Sequence, residues 1–88
     1  MKNTNTIDKS WIIYLLECKD GSLYTGITND LAKRLASHNA GLGAKYTRGR
    51  TPVTLLEFKT VSSQSEALRL EYQIKKLPRL KKRGFFQS

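Results

Sequence analysis

Two short apolar runs, Trp11 to Cys18 (WIIYLLEC) and Leu23 to Ile27 (LYTGI), flank the turn Lys19-Asp20-Gly21, and this arrangement constrains the fold more than any other feature of the chain. Ile, Tyr, Leu and Trp fit a pleated, half-buried surface, and Asp-Gly is a strong hairpin signal. Register then depends on the turn, because side chains alternate between the two faces of a strand. A loop of Asp20-Gly21 alone would pair Lys19 with Ser22 and send Tyr14 and Tyr24 to opposite faces. A loop of Lys19-Asp20-Gly21, with glycine in the left-handed conformation, would pair Cys18 with Ser22, Leu16 with Tyr24 and Tyr14 with Gly26. Both phenols would then share a face. Gly26 favours a functional site in that register, because it leaves space over the Tyr14 ring where packing alone would want a side chain.

Caps and breakers divide the rest. The polar segment 1–10, MKNTNTIDKS, is expected to be disordered. Asn29 can cap a helix over Asp30 to Ala40, ended by Asn39 or Gly41. GLGAKYTRGR, Gly41 to Arg50, has three glycines and no apolar period and reads as a loop. Pro52 opens a strand over Val53 to Val61. Ser63-Gln64-Ser65-Glu66 is a capping box heading a helix to about Leu77, and Pro78 starts a short last helix that ends at Gly84, leaving 85–88 as a tail. The order β-β-α-β-α-α predicts an α+β fold: a small three-stranded antiparallel sheet flanked by helices, as a single domain over 11–84.

Sixteen Lys+Arg against seven Asp+Glu give a net charge of +9 on 88 residues, which points to a polyanionic partner, nucleic acid first. No run approaches the roughly 18 apolar residues of a membrane span. The N-terminus lacks the apolar core of a signal peptide, so a cytoplasmic location is expected. Cys18, the lone cysteine, sits in the strand pattern as a small core residue. Lys45, Arg48 and Arg50 flank Tyr46 in the loop, Lys33 lies on the first helix, and Lys75, Lys76, Arg79 and Lys82 sit in the C-terminal charge cluster with Lys81 and Arg83. Such runs are either solvated faces or phosphate contacts, and the net charge favours the second. Binding would then be mainly sequence-independent and steeply salt-dependent. Tyr46 would stack on an unpaired base or pack its own loop. There is no room for a separate recognition domain, so specificity would come from DNA shape, an associated protein or dimerisation of what is expected to be a monomer or weak dimer.

Three further residues border the predicted core. Arg34 and His38 share one helical face, beside the Leu31/Leu35 stripe. A guanidinium there can fork onto a phosphate, and an imidazole can relay a proton near neutral pH; taken singly, each could equally be a surface residue. Glu71 lies on the apolar stripe of Ala67, Leu70, Ile74 and Leu77, and a carboxylate there needs a reason. It would pair with Arg34 or bind a metal ion, Mg²⁺ suiting a lone carboxylate completed by water and phosphate.

Tyr14 in IIYLL, Tyr24-Thr25-Gly26, the helix LAKRLASHN with Arg34 and His38, and Glu71 on a later helix together resemble the GIY-YIG nuclease domain, from about Trp11 to Lys82. GLGAKYTRGR followed by a proline-led strand is more narrowly similar to the small stand-alone bacterial GIY-YIG proteins. The resemblance implies a metal-dependent DNA endonuclease, structure-selective in DNA repair or processing. It gives Tyr14 the role of general base on the attacking water, Tyr24 that of positioning the water or phosphate, and Arg34 that of stabilising charge on the phosphate. His38 would orient the tyrosine or assist proton transfer, and Glu71 would hold one divalent ion, Mg²⁺ or Mn²⁺. An unperturbed tyrosine has a pKa near ~10, so Tyr14 would need Arg34, Lys33 or the metal to lower it. The sequence departs from the pattern at Ile12, where glycine is usual, and at Thr25, where isoleucine is usual. It also has no asparagine between Tyr72 and Ser88, where many catalytic members carry one. The alternative is a non-catalytic or weakly catalytic nucleic-acid-binding module, with DNA favoured over RNA as partner, although charge and one loop tyrosine do not separate the two.

Overall fold

The structure, a computed structural model, describes residues 10–87; the segment expected to be disordered lies, apart from Ser10, outside them. Its elements are β1 (Trp11–Glu17), β2 (Leu23–Thr28), α1 (Leu31–Asn39), a 3₁₀ turn (Lys45–Thr47), β3 (Thr54–Val61), α2 (Gln64–Lys75) and α3 (Arg79–Gln87). The strands form one antiparallel sheet in the order β2-β1-β3. This is the predicted α+β architecture.

The hairpin adopts the register that unites the tyrosines: Leu16 pairs with Tyr24 and Tyr14 with Gly26. The turn explains why. Gly21 takes a φ of 85°, its N–H donates to Cys18 O at 2.9 Å, and Cys18 N–H donates to Ser22 O at 2.8 Å. Asp20 Oδ1 accepts from the Ser22 N–H at 3.0 Å and from its hydroxyl at 2.6 Å, locking the loop. The space at Gly26 is not left open, however. Tyr14 leans its own hydroxyl into it, so a Cβ at Gly26 would collide with the Tyr14 oxygen and come within 3.0 Å of the Tyr24 ring.

Alternation along β1 divides the core. Tyr14, Leu16 and Cys18 face one side with Val53 and are covered by Leu31 and Leu35 of α1. Ile13 and Leu15 face the other side and are equally sealed, as are Ala67 and Ile74 of α2, the helix that packs across β1 and β2. Glu57, opposite Leu15, accepts from Arg83 Nε at 2.7 Å and from Gln87 at 3.1 Å, which fastens α3 to that side of β3.

These contacts move several predicted boundaries. α3 does not end at Gly84 but continues to Gln87, because Glu57 holds residues on both sides of the glycine. Asp30, not Asn29, caps α1, accepting from Lys33 N–H at 3.2 Å while Thr28 Oγ1 holds its own N–H at 3.0 Å. In the α2 box Ser63 Oγ accepts from Glu66 N–H as expected, at 3.1 Å. The Glu66 carboxylate reaches back to Ser62 rather than Ser63, gaining both its N–H and its hydroxyl at 2.7 Å.

Two alanine substitutions separate close approach from backbone freedom. Gly26→Ala should cost about 2 kcal/mol through overpacking, a fall of roughly 10 °C in Tm by thermal circular dichroism. Gly84→Ala, which meets nothing within 4 Å in mid-helix, should raise stability by about 0.8 kcal/mol. Equal effects at the two positions would contradict the seating of Tyr14 over Gly26.

Candidate active site

Three segments deliver one continuous polar chain into the core. Tyr14 from β1 and His38 from the last turn of α1 are both fully buried and hydrogen-bonded, Oη to Nε2, at 2.9 Å. His38 Nδ1 lies 2.8 Å from Oγ1 of Thr47, in the 3₁₀ turn, and Thr47 Oγ1 lies 2.9 Å from Ala44 O. A carbonyl cannot donate, so the threonine's single proton occupies that last contact and its oxygen can only accept from His38. The imidazole is therefore protonated on Nδ1, and its Nε2 lone pair accepts from the Tyr14 hydroxyl. Gly43 makes room for the ring: a Cβ there would overlap His38 Nδ1.

Charge follows the same geometry. Burial and the nearby Arg34 cation push the His38 pKa below 6.5, which keeps the ring neutral. Burial raises the Tyr14 pKa above 10.0, outweighing the hydrogen bond from Arg34 that pulls it down, while Tyr24 and Glu71 push it further up. Arg34 thus acts in the direction the sequence reading required, but burial outweighs it: Tyr14 keeps its proton and aims it at a neutral base. Lys33 is exposed and lines a shallow groove with Asn29, Asp30, Arg34 and Ser37. Arg34 gains a higher pKa, first from its hydrogen bond to Tyr14 and, less, from Tyr24. Both phenols lie close enough to act on it, and no ion pair joins it to Glu71 among the described residues.

Glu71 stands at the rim, its side chain 19% exposed, with Lys75 Nζ at 3.4 Å. It is close enough for its charge to act on Tyr14. Among the described residues no group of three His, Cys, Asp or Glu gathers to hold an ion. The donor set fits a hard divalent cation only as one carboxylate completed by water and a substrate oxygen, which suits Mg²⁺ or Mn²⁺ and makes affinity without substrate weak.

Outside this centre the aromatic column continues. Tyr24 meets His38 edge-on at 5.4 Å between centroids and stacks on Tyr46 at 5.9 Å and 22°. The Arg50 guanidinium covers Tyr46 at 4.3 Å, donates to Tyr46 O at 2.6 Å and pairs with Asp20 at 3.0 Å. Arg50, expected on nucleic acid, also fastens loop to hairpin. Arg79 and Lys82 make contacts within the fold as well. Arg79 bonds to Gly21 O and lies 3.8 Å from Glu17, and Lys82 Nζ caps α2 at Ile74 O (2.8 Å) and Lys75 O (3.2 Å). Lys75 lies over the Tyr24 ring and Lys76 over Tyr72. Lys45 and Arg48 are exposed beside Tyr46. Sequence reasoning missed Thr47, whose only signal was a hydroxyl in a glycine-rich loop, and Gly43, whose signal was that glycine.

A model of the GIY-YIG catalytic domain matches residues 10–83. The chain belongs to the GIY-YIG family. A UPF0213 protein of Halobacterium salinarum is 57% identical over 84% of this chain and 96% of its own length. One from Clostridium perfringens is 57% identical over 86% and 82%. The solution structure of a UPF0213 protein of Bacillus halodurans is 49% identical, with a TM-score of 0.54 over 86% of this chain and 81% of that one. A solution structure from E. faecalis is 38% identical, with a TM-score of 0.63 over 99% and 88%. In this GIY-YIG domain both motif tyrosines flank the buried histidine. No helix among the described residues is long and apolar enough to cross a membrane.

The buried neutral histidine has a pH signature. Between its depressed folded pKa and the ordinary 6.5, the unfolded chain binds a proton that the folded chain does not. Stability should therefore fall as pH drops through about 6.5, well above the carboxylate range of Glu57 and Glu66. Urea midpoints at pH 7.5 and 5.5 should show this slope in the parent and not in His38→Asn; parallel slopes would contradict the neutral ring.

Proposed function

We propose that this GIY-YIG domain is a metal-dependent endonuclease that hydrolyses phosphodiester bonds of nucleic acid, DNA before RNA. The observation that carries this reading is the buried hydrogen bond from Tyr14 to His38, with Arg34 and Glu71 both close enough for their charges to act on the phenol. Arg34 would grip a non-bridging phosphate oxygen as charge builds during in-line attack. Glu71 would hold a divalent ion, which when bound supplies charge neutralisation at the phosphate and leaving oxygen.

The relay revises the role of Tyr14. Its hydroxyl is sealed from water, so Tyr24, on the open side, is the phenol that would position the attacking water. Tyr14 would anchor Arg34 and, once the attacking water reaches it, take that proton while passing its own to His38 Nε2. Thr47 would keep Nδ1 protonated throughout. The free cations Lys45 and Arg48, beside Tyr46, would supply sequence-independent phosphate contacts.

A second reading, a binding module with slow or no turnover, is supported by the sealed Tyr14 and by the lack of asparagine after Glu71. Labelled single-stranded, duplex and branched DNA, incubated with and without Mg²⁺ or Mn²⁺, separates the two. Arg34→Ala and Glu71→Ala should each lower cleavage about 100-fold or more while retaining binding. Cutting that persists unchanged in both variants would belong to a contaminant, and binding without cutting in the parent would favour the module.

A further inference from the structure

Beside Tyr24 the surface opens into a cleft of about 270 Å³ lined by Leu23, Tyr24, Thr25, Tyr46, Lys75 and Lys82. Its walls divide by chemistry. Leu23 and two tyrosine rings stacked on each other give an apolar side; Tyr46 is 41% exposed, with Arg50 over its ring at 4.3 Å. The other side carries two ammonium groups. Lys82 is fixed there by its bonds to the last carbonyls of α2, and Lys75 lies 5.8 Å from the Tyr24 ring centre. Burial and, less, the charge of Lys75 depress the Lys82 pKa, while Lys75 is paired with Glu71 at 3.4 Å, so both ammonium groups are held at the cleft beside the Glu71 carboxylate. The single side-chain hydroxyl that could read a base edge besides the phenols, that of Thr25, is only 3% exposed.

An aromatic wall facing paired ammonium groups is complementary to a base carrying a phosphate. Position supports the same ligand: Lys75 follows Glu71 by one turn of α2, about 6 Å along the helix axis. Resting on the nuclease reading above, we propose that this cleft is the subsite for the nucleotide adjacent to the scissile phosphate, its base against Tyr24 and Tyr46 and its phosphate on Lys75 and Lys82. A base seated there is out of its stack, and the lining accepts any base. Substrates that offer an unstacked nucleotide next to the cleavage position are therefore favoured whatever their sequence.

The test uses ¹⁵N-labelled protein without divalent metal, so that binding is read apart from cleavage. Thymidine 5′-monophosphate, thymidine and inorganic phosphate are titrated separately to millimolar concentration. The monophosphate should move the amides of Leu23, Tyr24, Thr25 and Tyr46, and should bind more tightly than either fragment. Tyr46→Leu should weaken it about tenfold, and Lys75→Gln should weaken it and flatten its salt dependence. Shifts centred elsewhere, or equal binding of inorganic phosphate and nucleotide, would overturn the subsite. Cleavage assays on the same proteins keep the two readings apart. Cutting with the same kcat/KM in parent and Tyr46→Leu overturns the subsite alone, and nucleotide binding in the cleft of a protein that cuts nothing overturns the nuclease reading alone.

Discussion

The hydrogen bond from the Tyr14 hydroxyl to His38 Nε2, 2.9 Å long and closed to solvent, sets the terms for the structure around it. A phenol and an imidazole left unpaired in a core would each cost roughly 1–3 kcal/mol, so every remaining polar valence needs a partner. Thr47 and Ala44 supply them for the histidine, and Arg34 supplies one for the tyrosine. Gly26 and Gly43 supply the space. The same demand that completes the core also holds a guanidinium and two phenols around one point.

The positive charge serves two purposes that composition cannot separate. Arg50, Arg79, Lys82 and Arg83 make contacts inside the molecule, joining loop to hairpin, α3 to the turn, and α3 to α2 and β3. Lys33, Lys45 and Arg48 make no side-chain hydrogen bond or ion pair among the described residues. The charge available to a polyanion lies near α1, in the loop around Tyr46 and at the cleft lined by Lys75 and Lys82.

The sequence narrowed the hairpin register to two alignments, both compatible with Gly21, and Gly26, set opposite Tyr14 in one of them, pointed to the one observed. Helix starts were legible to within a residue, since Ser, Asp and Asn compete for neighbouring caps and tertiary bonds such as Thr28 to Asp30 choose among them. The end of α3 was not legible, because the contacts that carry it past Gly84 come from Glu57 on β3, 26 and 30 residues away in sequence. The same limit applies at the site. Arg34, His38 and Glu71 could be placed on helix faces by spacing, but the sign of the Tyr14 pKa shift depends on how deeply the ring is buried. The role of Thr47 depends on a loop folding back over α1, and periodicity reports neither.

The polarity of the Tyr14, His38 and Thr47 chain is the central claim, and the single histidine in the sequence makes it directly measurable. A long-range ¹H–¹⁵N correlation spectrum of the imidazole at neutral pH reports which ring nitrogen bears the proton. Nδ1 should be protonated and Nε2 bare. A protonated Nε2, or a fully protonated ring, would mean that His38 donates to Tyr14 and that no base stands behind the phenol.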